Sequence, residues 1–113
     1  MTLPGWIEGH PAAITVCDQD GIILYMNDAA ARDNAASSGQ DLLGRDVLAC
    51  HPEPSRTLLA EMIATQRPHI YTVERSGAKK LVYQTPWYED GTYRGFVEMI
   101  LPLPAELPHI VRG

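Results

Sequence analysis

Apolar and polar positions alternate with the period of a β-strand at both ends of this chain and with the period of a helix in its middle. Segments 13–17 and 22–26 are short and rich in β-branched residues, and a polar turn ending at Gly21 separates them. They predict a hairpin of two strands. Three further runs follow the helical region, and short turns ending in glycine separate them, which predicts a three-stranded antiparallel meander. These runs are 70–75, 80–88 and 93–101.

The middle of the chain carries the helical signals. Asn27 or Asp28 can cap a short, Ala-rich helix. Ser55 is predicted to cap a longer helix that extends to about Gln66. The apolar residues of that helix recur at helical spacing and form one stripe, which consists of Leu58, Leu59, Met62 and Ile63. This segregation of helices and strands predicts an α+β fold with helices on one face of an antiparallel sheet.

Length and composition bound the domain organisation. The chain has 113 residues, the size of one domain, and 45% are hydrophobic, which excludes a disordered or collagen-like protein. Because prolines cluster near both ends, we interpret 1–12 as an N-terminal flanking segment, 13–101 as the domain and 102–113 as a proline-rich C-terminal tail. No apolar run is long enough to cross a membrane and no secretory signal is evident, so we expect a cytoplasmic protein without a membrane partner.

Charge and cysteine content exclude two further classes of protein. Nine basic residues against fourteen acidic ones give a net charge of −5, and the basic residues are scattered rather than clustered. We therefore expect no nucleic-acid partner. Cys17 and Cys50 are too few for a disulfide scaffold and are expected to be reduced thiols.

Several short motifs follow one another in the chain. They are Asp18-x-Asp20-Gly21-x-Ile23-x-x-x-Asn27-x-Ala29-Ala30, then Leu42-Leu43-Gly44-Arg45, then His51-Pro52. Each is common alone, but their order on the predicted elements resembles the signature of PAS sensor domains over about residues 12–101. The stretches Gly44-Arg45 to Cys50-His51-Pro52 to Ser55 and Gly91-x-Tyr93-x-Gly95-x-x-Glu98 resemble one subgroup, the PAS domains of bacterial proteins that also carry a hemerythrin-like domain.

This resemblance implies a PAS-like five-stranded antiparallel sheet with short helices on one face. It also implies a small molecule held between sheet and helices, or a dimer that passes on a signal. On this reading the ligand pocket is lined by Cys50, Leu58, Leu59, Met62, Ile63, Phe96, Glu98 and Ile100.

Departures from the family pattern narrow the expected cofactors. Val47 stands where flavin-binding photosensors of the family carry the adduct-forming cysteine, so we expect no flavin adduct. The long helix, 55–66, contains no histidine to serve as the proximal ligand of a haem, so we expect no haem. Otherwise the cofactor is unknown. Pro102-Leu103-Pro104 replaces the start of the usual signalling helix, so we expect a signal passed to a separate effector protein.

Two candidate sites have alternative interpretations. Cys50-His51 can be a reactive or metal-ligating pair, but no third ligand or orienting residue is evident, and we favour packing in a loop. Glu98 alternates with apolar residues on a strand, where a carboxylate is costly unless it is paired. It is either a polar anchor inside the pocket or a structural partner of Arg45, Arg75 or a backbone group.

Both faces of the last three strands are apolar, so one face needs a cover beyond the helices. We predict a homodimer through this outer face, with the residues Trp6, Ile7, Tyr83, Trp87, Val97 and Met99. If the turn at Asp90-Gly91 has two residues, Tyr83 lies with Glu98 on the inner face instead, so the sequence leaves open which face of 81–88 points to the pocket. The expected function is a small-molecule-sensing module that acts as a dimer. The alternatives are a ligand-free interaction domain and a haem or redox sensor using His51 or Cys50. No acid, base and nucleophile converge and no metal site is evident, so we expect no enzymatic activity.

Overall fold

The computed structural model describes residues 3–33, 43–46, 48 and 53–113. In this part of the chain five strands form one antiparallel sheet with the order β2-β1-β5-β4-β3. The strands are β1 Ala13–Asp18, β2 Ile23–Met26, β3 His69–Arg75, β4 Ala78–Glu89 and β5 Thr92–Pro102. The helices are α1 Gly5–Glu8, α2 Asp28–Asp33 and α3 Ser55–Thr65. The predicted α+β fold with a five-stranded antiparallel sheet is confirmed. No helix in these ranges is long and apolar enough to span a membrane.

The two hairpin turns among the last three strands are where the sequence predicts them. Ser76 and Gly77 have φ angles of 53° and 80°, and Asp90 and Gly91 have φ angles of 51° and 79°. Two successive positive φ angles define the type I′ turn, whose twist matches that of the flanking strands. Strands β3, β4 and β5 therefore form a continuous meander.

A β-bulge next to the second turn decides which side chains share a face of the sheet. Tyr88 pairs with Tyr93, but Trp87 pairs with Gly95, so β5 contains one extra residue, Arg94. Beyond the bulge Gln84 faces Glu98 and Tyr83 faces Met99. Without this extra residue a two-residue turn would place Tyr83 opposite Glu98.

We call the side of the sheet that meets α3 the inner face. Phe96 lies on it and forms a buried cluster with Leu59 and Met62 of α3, together with Cys17 and Ile23. The outer face carries the alternate residues of the same strands. They include Ile14, Val16, Leu81, Tyr83, Thr85, Val97, Met99 and Leu101.

The helix α3 corrects two details of the sequence interpretation. Ser55 is its first residue rather than its cap, and the Glu53 carboxylate accepts the backbone N–H of Thr57 at 2.9 Å instead. Leu58 is 45% exposed because the helix contacts the sheet along a narrow line through Leu59 and Met62. The predicted apolar stripe is therefore wrong at Leu58, which lies on the flank of the helix.

Substitutions on α3 test this placement. We expect Leu59→Ala to lower the free energy of unfolding by about 2–4 kcal/mol, because it leaves a cavity in the core. Leu58→Ala removes the same atoms from a half-exposed position and is expected to cost less than about 1 kcal/mol. Chemical denaturation of both variants measures the difference, with the exposed Glu61→Ala as a control that changes stability by no more than about 0.5 kcal/mol. Equal losses at Leu58 and Leu59 would contradict the structure.

The N-terminal flanking segment contains a helix that the sequence did not predict. The side-chain amide of Asn27 donates to the carbonyl oxygen of Ile7 in α1 at 3.1 Å. The same side chain accepts the backbone N–H of Ala30 at 3.0 Å, which confirms Asn27 as the cap of α2. At the other end of the domain, the backbone N–H of Leu103 donates to the carbonyl oxygen of Lys79 at 2.9 Å. The rest of the tail, 104–113, is exposed and carries neither helix nor strand.

Candidate functional site

A cavity of about 790 Å³ lies between the inner face of the sheet and the helices α2 and α3. All five strands contribute to its lining, and Leu59 of α3 and Asp33 at the end of α2 contribute from the helical side. The lining combines apolar with polar and charged side chains. Among the described residues its apolar members are Ile23, Met26, Leu59, Val73, Ala78, Val82, Phe96 and Ile100.

The structure brings together only some of the pocket residues that the sequence suggested. Leu59, Phe96, Glu98 and Ile100 line the cavity. Met62 is buried and Ile63 is partly buried in the core cluster beside it, so both support the cavity from behind its lining. Leu58 is not part of the cavity and lines a separate shallow depression with 68–71. Cys50 lies outside the described residues.

A polar pair occupies the middle of the inner face. The Gln84 side-chain amide donates to Oε2 of Glu98 at 2.7 Å, and the two residues lie opposite each other on β4 and β5. Gln84 is therefore the hydrogen-bond partner of Glu98, in place of Arg45 or Arg75, which the sequence analysis considered. Thr15 of β1 lies on the other side of Glu98, so polar side chains form a row across the sheet.

Tyr71 extends this polar group from the edge strand β3. Burial raises the pKa of the Tyr71 hydroxyl above its usual value, the negative charge of Glu98 raises this pKa further, and a hydrogen bond with the Gln84 side chain opposes the rise. The Tyr71 hydroxyl is therefore protonated at neutral pH and is able to donate a hydrogen bond. Tyr71 and Glu98 line the cavity, and the buried Gln84 connects them, so the three residues form a polar cluster at the cavity wall.

Charged side chains line the cavity on the side away from this cluster. Nζ of Lys80 lies 3.9 Å from Oδ2 of Asp33, which links β4 to the end of α2. Both side chains are more than 40% exposed, so this ion pair contributes less than about 1 kcal/mol to stability. Glu74 and Arg75 line the same region. We call these four residues the rim.

The described residues offer no evident metal centre. No group of three or more histidine, cysteine, aspartate or glutamate side chains within 3–33, 43–46, 48 and 53–113 is arranged to hold a metal ion. None of the described residues lining the cavity is a histidine or a cysteine. Val47, on which the flavin prediction depends, and His51, which the alternative haem or redox sensor would use, lie outside the described residues.

The outer face is apolar and partly exposed. Tyr83 is 37% exposed, and Val97 and Met99 are half-buried. Trp6 of α1 is 69% exposed, whereas Ile7 is half-buried. Trp87 has a structural contact, because its indole N–H donates to the carbonyl oxygen of Cys17 at 3.1 Å across β5.

Sequence reasoning missed Gln84 and Tyr71 as members of the candidate site. Gln84 alternates with Val82 and Pro86, so strand periodicity already places it on one face with them. Only the register across the bulge shows that this face meets Glu98. Tyr71 has no distinguishing motif, and its position follows from its pairing with Val82.

Comparisons with known proteins agree with this architecture. A family model described as PAS fold matches residues 7–103. A comparison with curated proteins gave no significant match.

Solved structures share the fold at low sequence identity. A C-terminal domain from Streptococcus mutans is similar with a TM-score of 0.67 and 21% identity, covering 85% of this chain and 78% of that one. The PAS domain of BvgS from Bordetella pertussis gives a TM-score of 0.63 and 19% identity, covering 88% of this chain and 82% of that one. The Aer2 receptor from Vibrio cholerae gives a TM-score of 0.61 and 16% identity, covering 87% of this chain and 99% of that one. The family model spans most of the chain, so the chain belongs to the PAS fold family.

Proposed function

We propose that this chain is a sensor module that binds a small molecule in the cavity and passes a signal to a separate protein. The cavity is the observation that carries this proposal. Its volume of about 790 Å³ lies in the range of ligand pockets, and its lining combines apolar side chains with polar ones that are able to orient a bound molecule. Within the family, the motif resemblance to PAS domains that accompany hemerythrin-like domains stays a prediction.

The path of the signal follows from the alternation of side chains on the central strand. Glu98 and Ile100 line the cavity, whereas their neighbours Val97 and Met99 lie on the outer face. A ligand that displaces β5 therefore also displaces the outer face. Pro102 and Pro104 prevent β5 from continuing into a helix, which favours transfer of the signal through a surface contact.

We further propose that the outer face forms a symmetric homodimer. Its apolar residues are only partly covered, and Trp6 of α1, which is 69% exposed, is available to join the interface. The same patch on two subunits can bury itself about a two-fold axis. In the dimer, movement of β5 changes the interface between the subunits.

Charge substitutions on the outer face test the dimer. We expect light scattering to give twice the chain mass for the wild type at micromolar concentration. Met99→Glu is expected to give a folded monomer, because dimerisation would bury one uncompensated carboxylate per subunit. Leu107→Glu, in the exposed tail, is the matched control and should remain dimeric. A wild type that stays monomeric at high concentration would disprove the dimer.

Two alternative functions are a haem or redox sensor and a ligand-free interaction domain. The Vibrio cholerae receptor is described as a dual PAS-heme oxygen sensor. Here a haem or redox sensor would depend on His51 or Cys50, because the described lining of the cavity supplies neither histidine nor cysteine. A ligand-free interaction domain is disfavoured by the size of the cavity.

Native mass spectrometry of the purified protein, combined with its absorption spectrum, tests the proposed function. We expect an added non-covalent mass on the folded protein and no haem or flavin absorption bands. A haem band would favour the haem sensor. A protein that carries no added mass, and that binds no member of a small-molecule library, would support the ligand-free interaction domain instead.

A further inference from the structure

The carboxylate of Glu98 distinguishes this cavity from a purely apolar one. Its Oε2 atom accepts a hydrogen bond from Gln84. Its Oε1 atom has no hydrogen-bond partner among the described residues, and it lies on the inner face between Phe96 and Ile100 of the same strand. One acceptor position of a negatively charged group is therefore available to a molecule in the cavity.

The cations of the cavity do not neutralise this charge. Lys80 lies four residues from Gln84, the partner of Glu98, which corresponds to about 13 Å along β4 at roughly 3.3 Å per residue. Its ammonium group is already paired with Asp33. Arg75 pairs with Ala78 and is therefore farther along the sheet than Lys80. Within the described ranges, neither of the two ion pairs involves Glu98.

A ligand that fills the cavity removes water from Glu98. The carboxylate then needs a donor from the ligand, because a buried charged acceptor without a partner is strongly unfavourable. An anionic ligand would instead place a second negative charge against the first in a poorly screened environment. The apolar residues around Glu98, Val82 and Phe96 among them, favour a hydrophobic body.

Provided that the cavity binds a small molecule as proposed above, we infer that its ligand class is hydrophobic organic cations. The ligand has an apolar, ring-sized body and a protonated amine, and the amine N–H donates to Oε1 of Glu98. The bond from Gln84 holds the carboxylate in place, and the Tyr71 hydroxyl lies within the same polar cluster. The rim, which contains Lys80 and Arg75, is left to interact with any polar group at the far end of the molecule.

Three indole compounds of similar shape and different charge test this ligand class. Tryptamine is a cation, tryptophol is neutral and indole-3-propionate is an anion at neutral pH. Isothermal titration calorimetry on the wild-type protein should give at least a tenfold lower Kd for tryptamine than for indole-3-propionate, with tryptophol between them. Binding of the anion as tight as or tighter than that of the cation would overturn the assignment.

A pair of matched variants assigns the preference to one carboxylate. Glu98→Gln keeps the shape and removes the charge, and we expect it to reduce the preference for tryptamine over indole-3-propionate at least tenfold. Glu61→Gln makes the same chemical change on the exposed side of α3 and should leave the preference unchanged. A preference that survives Glu98→Gln would overturn the role of Glu98. Thermal melting of both variants checks that they are folded. The comparison of the three indole compounds on the wild-type protein does not depend on either variant.

The outcomes separate this inference from the proposed function. Binding of the indoles in the wrong order of charge overturns the ligand class and leaves the cavity as a small-molecule site. No binding of any of the three at millimolar concentration counts against the small-molecule site and overturns the ligand class with it.

Discussion

Replacing Gly95 with alanine is expected to lower the free energy of unfolding by about 4 kcal/mol or more, a large part of the stability of a domain of this size. Gly95 lies in the central strand, β5, and has a φ angle of 150°, which residues with a side chain rarely adopt. A Cβ atom at this position would lie 2.0 Å from the carbonyl oxygen of Cys17 and 2.8 Å from Cα of Asp18. Because both are backbone atoms of the neighbouring strand β1, no side-chain rotation can relieve the clash.

The same carbonyl oxygen has a second role, since it accepts the indole N–H of Trp87 across β5. Displacing β1 to make room for a side chain at Gly95 would therefore also break this bond. Gly91→Ala is the matched control, because Gly91 has a positive φ angle but open space around it. It is expected to cost only about 1 kcal/mol. Urea denaturation of both variants makes the comparison, and similar stabilities would show that the strands do not approach as described.

Asn27→Ala is expected to destabilise the protein by about 3–5 kcal/mol, although it removes only a few atoms. Asn27 is 1% exposed, and its carbonyl oxygen accepts the backbone N–H groups of Ile14 at 2.9 Å and Ala30 at 3.0 Å. Its amide donates to the carbonyl oxygens of Ile7 at 3.1 Å and Ala12 at 2.8 Å. Alanine leaves these backbone groups without this partner, which is costly wherever they are buried.

A second substitution at the same position separates the two halves of this network. Asn27→Asp retains an acceptor for α2 but directs a carboxylate oxygen at the carbonyl oxygens of Ile7 and Ala12. We expect it to destabilise the domain and to increase hydrogen exchange in α1 more than in α2. Asp28→Asn, at the exposed neighbouring position, is the control and should change stability by no more than about 0.5 kcal/mol. Unchanged exchange in α1 would contradict the proposed role of the amide.

The parts of the fold with local signals were predictable from the sequence. The two-residue turns at Asp90-Gly91 and Ser76-Gly77 need positive φ angles, and those residue types supply them. Alternation along β5 correctly grouped Phe96, Glu98 and Ile100 on one face. Each of these predictions depends on residues that are close in the chain.

The parts that depend on distant contacts were not predictable. The bulge at Arg94 lies next to Gly95, which approaches β1 closely, and it places Gln84 rather than Tyr83 opposite Glu98. The exposure of Leu58 depends on how α3 lies on the sheet, which its spacing alone does not determine. The candidate site was therefore found at Glu98 but without its hydrogen-bond partner.

Methyl NMR is the most direct test of the central claim that the cavity binds small molecules. Adjacent residues of β5 report on opposite faces of the sheet, since Ile100 lines the cavity whereas Val97 and Met99 lie on the outer face. Tryptamine added to protein with labelled Ile, Val, Leu and Met methyl groups should shift the signals of Ile100, Val82 and Leu59. The Val97 and Met99 signals should shift less than these, because the ligand reaches them only through the displacement of β5. Larger shifts at Val97 and Met99 than at Ile100, or no shifts at all with millimolar tryptamine, tryptophol or indole-3-propionate, would contradict the account.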